Sequence, residues 1–180
     1  CVAQKIISKV SLLTAAGKLY EIDTRLRPDG ASGMLVTSVR GYRQYQLEKA
    51  WVWEHQAIVR ARYIGANVQL HTAFEQLRSE VLSLSREPQT LAHEVVSMRD
   101  KMYSAMQPPE KEQVNLKHSH GGMVDIEFMV QYLVLKHANK FASLGQTTDN
   151  ISLINELCEL GLVDEQWQQL ATIYRQLHQW

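Results

Sequence analysis

Asp23, Arg25 and Arg27 occupy alternate positions in Leu19-Tyr-Glu-Ile-Asp-Thr-Arg-Leu-Arg-Pro-Asp-Gly30, and Glu21 extends the series backwards. In an extended chain alternate side chains share a face. These four polar groups would therefore lie on one side and Tyr20, Ile22, Thr24 and Leu26 on the other, each like-facing pair about 6.6 Å apart. Pro28-Asp29-Gly30 then supplies turn chemistry. Acids beside paired arginines suit a metal-bound polyphosphate, because a carboxylate holds the cation while guanidinium forks grip phosphate oxygens. Asp23 is the candidate catalytic acid and metal ligand, and Arg25 and Arg27 are its candidate catalytic companions. The bland alternatives are a surface Asp23 paired with a neighbouring arginine, and arginines held in cross-strand salt bridges. Glu21 reads as a group that tunes Arg25 rather than as a ligand.

A second constellation lies at Lys117 and Gly121-Gly122, just before an apolar-periodic segment. Exposed amides at a helix N-terminus attract anions, so these residues are candidates to hold phosphates or the anionic surface of a partner. Asp125 and Glu127 fall in the same first turn and would compete for the dipole, and self-capping is the alternative. Arg60 is a further candidate phosphate contact, reaching inward toward the strand face. Trp51 and Trp53 read as core packing. His118-x-His120 has metal spacing without a third His or Cys, and reads as polar loop.

The elements that must position these groups can be read from periodicity. Val2, Ile6, Val10 and Leu13 predict a first helix, and Gly17 a C-cap. A strand is expected over 18–26 and a second over Met34-Leu-Val-Thr37, forming a hairpin. Ser38 reads as the N-cap of a helix over 39–64 that is apolar on two stripes and so buried between layers. Further helices are expected over 68–85, 90–106 (from Thr90), 122–138, 150–160 (ended by Gly161) and 164–179 (from Asp164). Pro108-Pro109 begins the one long loop. Short connections between striped helices imply an antiparallel bundle.

Composition narrows the class. Apolar residues make up 45% of 180 and the formal net charge is zero, as in a globular chain rather than a disordered one. Residues 1–64 carry ten Lys/Arg against five Asp/Glu (+5), and 65–180 nine against fourteen (−5). A basic end suits an anionic ligand but is too weak for nucleic-acid steering. No apolar run is long enough for a bilayer, so no membrane association is expected. Two cysteines give no disulfide framework, and a cytoplasmic location is expected. The absent initiator Met suggests a fragment.

The run from Gly17 to Arg62, and above all its D-x-R-L-R-P-x-G core, resembles glutamine synthetase adenylyltransferase; Lys117–Ala138, with G-G-x-x-D-I-E-F, resembles that family's helical domain. The resemblance implies a polymerase-β-like nucleotidyltransferase in which three carboxylates bind two Mg²⁺ ions, with Asp23 matching the third. It implies transfer of AMP from ATP to a tyrosine of glutamine synthetase, under control of the PII signalling protein and glutamine as effector. The match suits the C-terminal, adenylylating half better than the deadenylylating one. No G-S followed by D-x-D occurs in the chain, which is therefore expected to be inactive alone. The expected organisation is mainly α: residues 1–64 a nucleotidyltransferase remnant with a short β-hairpin, 65–180 an antiparallel helical bundle. The rival reading is a non-catalytic helical module that docks glutamine synthetase or PII.

Overall fold

The computed structural model describes residues 2–15, 17–18, 20, 22–24, 26–106 and 115–179. They are mainly helical and fall into two compact units, 1–50 and 51–180. The first contains α1 (Val2–Val10), two-residue strands β1 (Leu13–Thr14) and β2 (Gly17–Lys18), a 3-10 turn at Gly30–Ser32, and α2 (Val39–Glu48). β1 and β2 pair antiparallel, Leu13 with Lys18 and Thr14 with Gly17. Gly17 permits this tight reversal with φ of +98°.

The strand expected over 18–26 is not formed beyond Lys18 among the described residues, and Met34–Thr37 is bent rather than extended into a strand. A strand needs a neighbour for its amides and carbonyls. The reversal that would bring 34–37 back alongside 22–24 is replaced by a closed loop at Arg27–Gly33. Ser38 does cap α2: its Oγ accepts from Gly41 N at 3.1 Å.

The helix expected over 39–64 is two helices. Lys49 and Ala50 both donate to the Tyr45 carbonyl, which closes α2. The Glu54 carboxylate then accepts from Trp51 N at 2.9 Å and opens α3 (Val52–Val59). The N3 glutamate, capping the Trp51 amide, starts a new helix in spite of uninterrupted apolar content. Trp51 is 69% exposed, so it is not the core residue its spacing suggested.

The second unit continues with α4 (Val68–Leu82), α5 (Pro88–Ser104), α6 (Met123–His137), a 3-10 turn at Ala142–Gly145, α7 (Asn150–Glu159) and α8 (Trp167–Leu177). Asn67, Glu87 and Asp149 cap α4, α5 and α7 through their side chains. Glu87 with Pro88 at the first helical position starts α5 ahead of Thr90. α6 is the centre. It packs on α3, α5, α7 and α8 and buries Val124, Ile126, Val130, Leu133, Val134 and Leu135. At about 1.5–3 kcal/mol for each fully buried large apolar side chain, this helix dominates the unit's cohesion.

Two arginines, Arg78 buried and Arg86 half-buried, stitch the helix ends together. Arg78, 1% exposed, donates to the carbonyls of Ile58, Val59 and Thr147 at 3.1, 2.7 and 3.0 Å, and also to Gly145. Arg86 donates to Val81, Leu84 and Leu135 carbonyls and to His55 Nδ1 at 3.1 Å. Burial lowers the pKa of Arg78, against a smaller opposing effect of Glu75, and lowers that of Arg86 to about 10. Arg86 therefore stays charged at neutral pH, and His55 Nδ1 must be the acceptor.

Candidate functional site

In the first unit the chemistry-bearing turn is organised around Arg27. Its Nε donates to Gly33 O at 3.2 Å, its Nη2 to Ala31 O at 3.1 Å, and its Nη1 to Thr24 O. The loop is tightened by Gly30 N to Arg27 O at 2.9 Å, Gly33 N to Gly30 O at 3.2 Å, and Ser32 Oγ to Asp29 O at 2.7 Å. Asp29 and Gly30 both adopt left-handed backbone, with φ of 61° and 54°. A Cβ on Gly33 would fall 1.8 Å from the Pro28 carbonyl oxygen, so glycine is required by close backbone approach. Asp23 lies exposed immediately before the clamped Thr24. Arg25 and Glu21 lie outside the described residues. Beside the loop is a cavity of about 270 Å³ whose lining includes Met34, Thr37, Tyr45 and Lys49.

In the second unit the start of α6 is closed. Gly122 N donates to Ser119 O at 2.9 Å, and Met123 N and Val124 N to the Leu116 and Lys117 carbonyls, both at 3.0 Å. Gly121 N donates to Asp125 Oδ2 at 2.6 Å. The amides expected to face an anion thus face acceptors of the protein itself. Gly122 is needed for closeness: a Cβ there would meet Leu116 O at 2.6 Å and Ser119 O at 2.9 Å. Arg99, 8% exposed, pairs with Asp125 through Nε and donates through Nη2 to His118 O at 2.8 Å. His120 stacks on Tyr103, and Lys117 is exposed.

Arg60 likewise has an internal partner. Its Nη1 lies 2.6 Å from Glu127 Oε1, which also accepts from Tyr174 Oη at 2.7 Å; Asn150 Nδ2 donates to that phenol oxygen at 2.7 Å. Burial and Glu127 push the Tyr174 phenol up to about 12. Arg78, Arg86, Arg99 and Tyr174 were not singled out from the sequence. Their signal is faint, because an arginine beside a helical apolar stripe looks the same whether it caps carbonyls or meets water.

Residues 1–77 match the family model described as glutamate-ammonia ligase adenylyltransferase, and residues 89–180 that described as GlnD PII-uridylyltransferase. Among curated proteins, bifunctional glutamine synthetase adenylyltransferase/adenylyl-removing enzymes are similar over most of the chain. That of Aromatoleum aromaticum is 50% identical over 161 residues, 89% of this chain and 17% of its own. That of Neisseria meningitidis serogroup B is 41% identical over 96% of this chain and 19% of its own. The chain belongs to the glutamine synthetase adenylyltransferase family. It spans about a fifth of the length of these relatives.

The adenylyltransferase match covers the first unit, α3 and most of α4. The Arg27 loop therefore sits wholly inside it, and Arg99, Asp125, Glu127 and Tyr174 inside the other. For this family the carboxylate pattern implies a divalent ion at Asp23. Among the described residues no group of three or more His, Cys, Asp or Glu side chains could hold a metal. A divalent ion at Asp23 would need further ligands besides those the described residues bring together.

Proposed function

We propose that this chain is part of an enzyme that transfers AMP from ATP to a tyrosine hydroxyl of glutamine synthetase. The phenolic oxygen bonds to the α-phosphorus, the bond from that phosphorus to the β-bridging oxygen breaks, pyrophosphate leaves, and the phenol proton is lost. The observation that carries the reading is the match of residues 1–77 to an adenylyltransferase model, with Asp23 exposed beside a loop built to hold its backbone in place. Asp23 supplies one carboxylate toward Mg²⁺, and the 1–64 segment is part of a polymerase-β-like nucleotidyltransferase domain. Arg25 and Arg27 are its companions in the adenylylating half. With no G-S followed by D-x-D in the chain, residues 1–180 alone transfer no AMP.

The partners of the whole enzyme on this reading are glutamine synthetase, ATP, the PII signalling protein and glutamine as effector, in the cytoplasm. No helix among the described residues is long and apolar enough to cross a membrane. At α6, Lys117, Gly121 and Gly122 hold the helix start, and a nucleotide there would have to displace the Asp125 carboxylate and three loop carbonyls. Arg60 is committed to Glu127 in the same way.

The test is AMP transfer onto glutamine synthetase by the full-length enzyme carrying Asp23→Asn. Transfer is expected to fall at least ~100-fold, the upper range for groups that merely support a metal ligand, with the unfolding temperature unchanged. Transfer near the unsubstituted rate would remove Asp23 from the chemistry and favour the docking-module reading.

A further inference from the structure

We infer that Arg27 is a positioning residue that fixes the backbone at Asp23, and not a residue that grips phosphate. The inference rests on the Asp23 reading above. A guanidinium offers two bidentate edges, Nε with Nη2 and Nη1 with Nη2. In this loop Nε goes to Gly33 O, Nη2 to Ala31 O and Nη1 to Thr24 O, so each edge already has both of its nitrogens engaged by backbone carbonyls. These bonds use three of the five N–H donors, and a bidentate phosphate grip through Nε and Nη2 would break the loop that holds it. The three acceptors come from either side of the turn, and one of them, Thr24, is the residue next to Asp23. The clamp therefore fixes where Asp23 leaves the backbone. Gly33 is part of the same device, since no side chain fits between it and the Pro28 carbonyl.

The geometry separates lysine from arginine. An ammonium is a point charge that can still meet phosphate, but it cannot span three carbonyls arranged for a planar fork. The experiment compares Asp23→Asn, Arg27→Gln, Arg27→Lys and Gly33→Ala in the full-length enzyme, reading kcat and KM for ATP in AMP transfer, with thermal unfolding in parallel. A positioning role lowers kcat at least tenfold in Arg27→Gln, leaves KM for ATP within about twofold, and is not rescued by Arg27→Lys; Gly33→Ala reproduces the kcat loss with Arg27 intact. The supporting figure of 10–100-fold is that typical of groups orienting a metal ligand. If KM for ATP rises tenfold in Arg27→Gln and Arg27→Lys restores it, Arg27 contacts phosphate and the inference is overturned. If Arg27→Gln fails to fold, Gly33→Ala decides: an unchanged kcat overturns the inference. An active Asp23→Asn sinks the Asp23 reading itself; an inactive one beside normal Arg27 and Gly33 variants sinks only the positioning role.

Discussion

Every buried apolar side chain among the described residues, from Ile58 to Tyr174, lies in residues 51–180; in 2–50 the one buried side chain is Gln46. The first unit instead exposes Val2, Leu13, Tyr20, Met34 and Val36, and its best-defined feature is a loop held by one arginine on three carbonyls. The second is an apolar core whose helix ends are tied by arginines. Cohesion and candidate chemistry thus reside in different units, and functional loops are commonly drawn from the less stable parts of a fold. Substitutions in the second unit should act through stability, those in the first through chemistry.

The sharpest test on the stability side is Arg78→Met. It leaves the carbonyls of Ile58, Val59, Gly145 and Thr147 without their donor, the first two of them buried. A loss of ~3 kcal/mol is expected, read as a drop of about 10 °C in thermal unfolding. An unchanged midpoint would show that the core does not depend on this stitch. On the chemistry side, Asp23→Asn should do the reverse. The expected ~100-fold loss corresponds to about 2.7 kcal/mol of barrier, with no change in midpoint. If Asp23→Asn also destabilised the chain by that amount, the division between the units would fail.

What was legible in the sequence follows the same line. Periodicity located α4, α6 and α7 to within a few residues, because their apolar stripes are the faces that become buried. Ser38 as a cap and Gly161 as a terminator, with φ of +65°, were readable from local chemistry alone. The strand over 18–26 was misread because alternation records which side chains could share a face and not whether a partner strand exists. The break at Trp51 was missed because apolar content runs straight through it, and only the Glu54 carboxylate on Trp51 N ends the register. At Gly121-Gly122 the dipole argument was sound, but the pairing of Asp125 with Arg99, 26 residues away, is invisible to spacing.

Gly122→Ala probes that helix start. Its Cβ would press on three backbone carbonyls, at 2.6, 2.9 and 3.2 Å, and a loss of about 1–3 kcal/mol is expected, measured by urea unfolding. A neutral result would mean that the loop yields easily, and would reopen the site to an anion. Tyr174→Phe removes the hydroxyl between Asn150 and Glu127 and should cost ~1 kcal/mol. If it instead altered AMP transfer in the full-length enzyme without changing stability, the second unit would hold chemistry of its own and the contrast would have to be redrawn.

The smallest expected effect is on pH dependence, and it too belongs to the second unit. Burial, then Lys117 and Arg99, hold the His118 imidazole below its ordinary value; burial, then Lys136 and Lys140, do the same for His137. A histidine whose folded pKa is depressed favours the folded state in its neutral form. That contribution is complete above the ordinary value of about 6.5 and is lost as pH falls through the lower, folded value, because the unfolded chain takes up the proton first. Both rings are only half-buried, so the slope is shallow. Thermal midpoints should therefore decline gently below about pH 6.5, and His118→Gln with His137→Gln should flatten that decline. A midpoint that rose on acidification, or a decline untouched by the double substitution, would place the responsible groups elsewhere. His55, held neutral as the acceptor of Arg86, would be the next to replace.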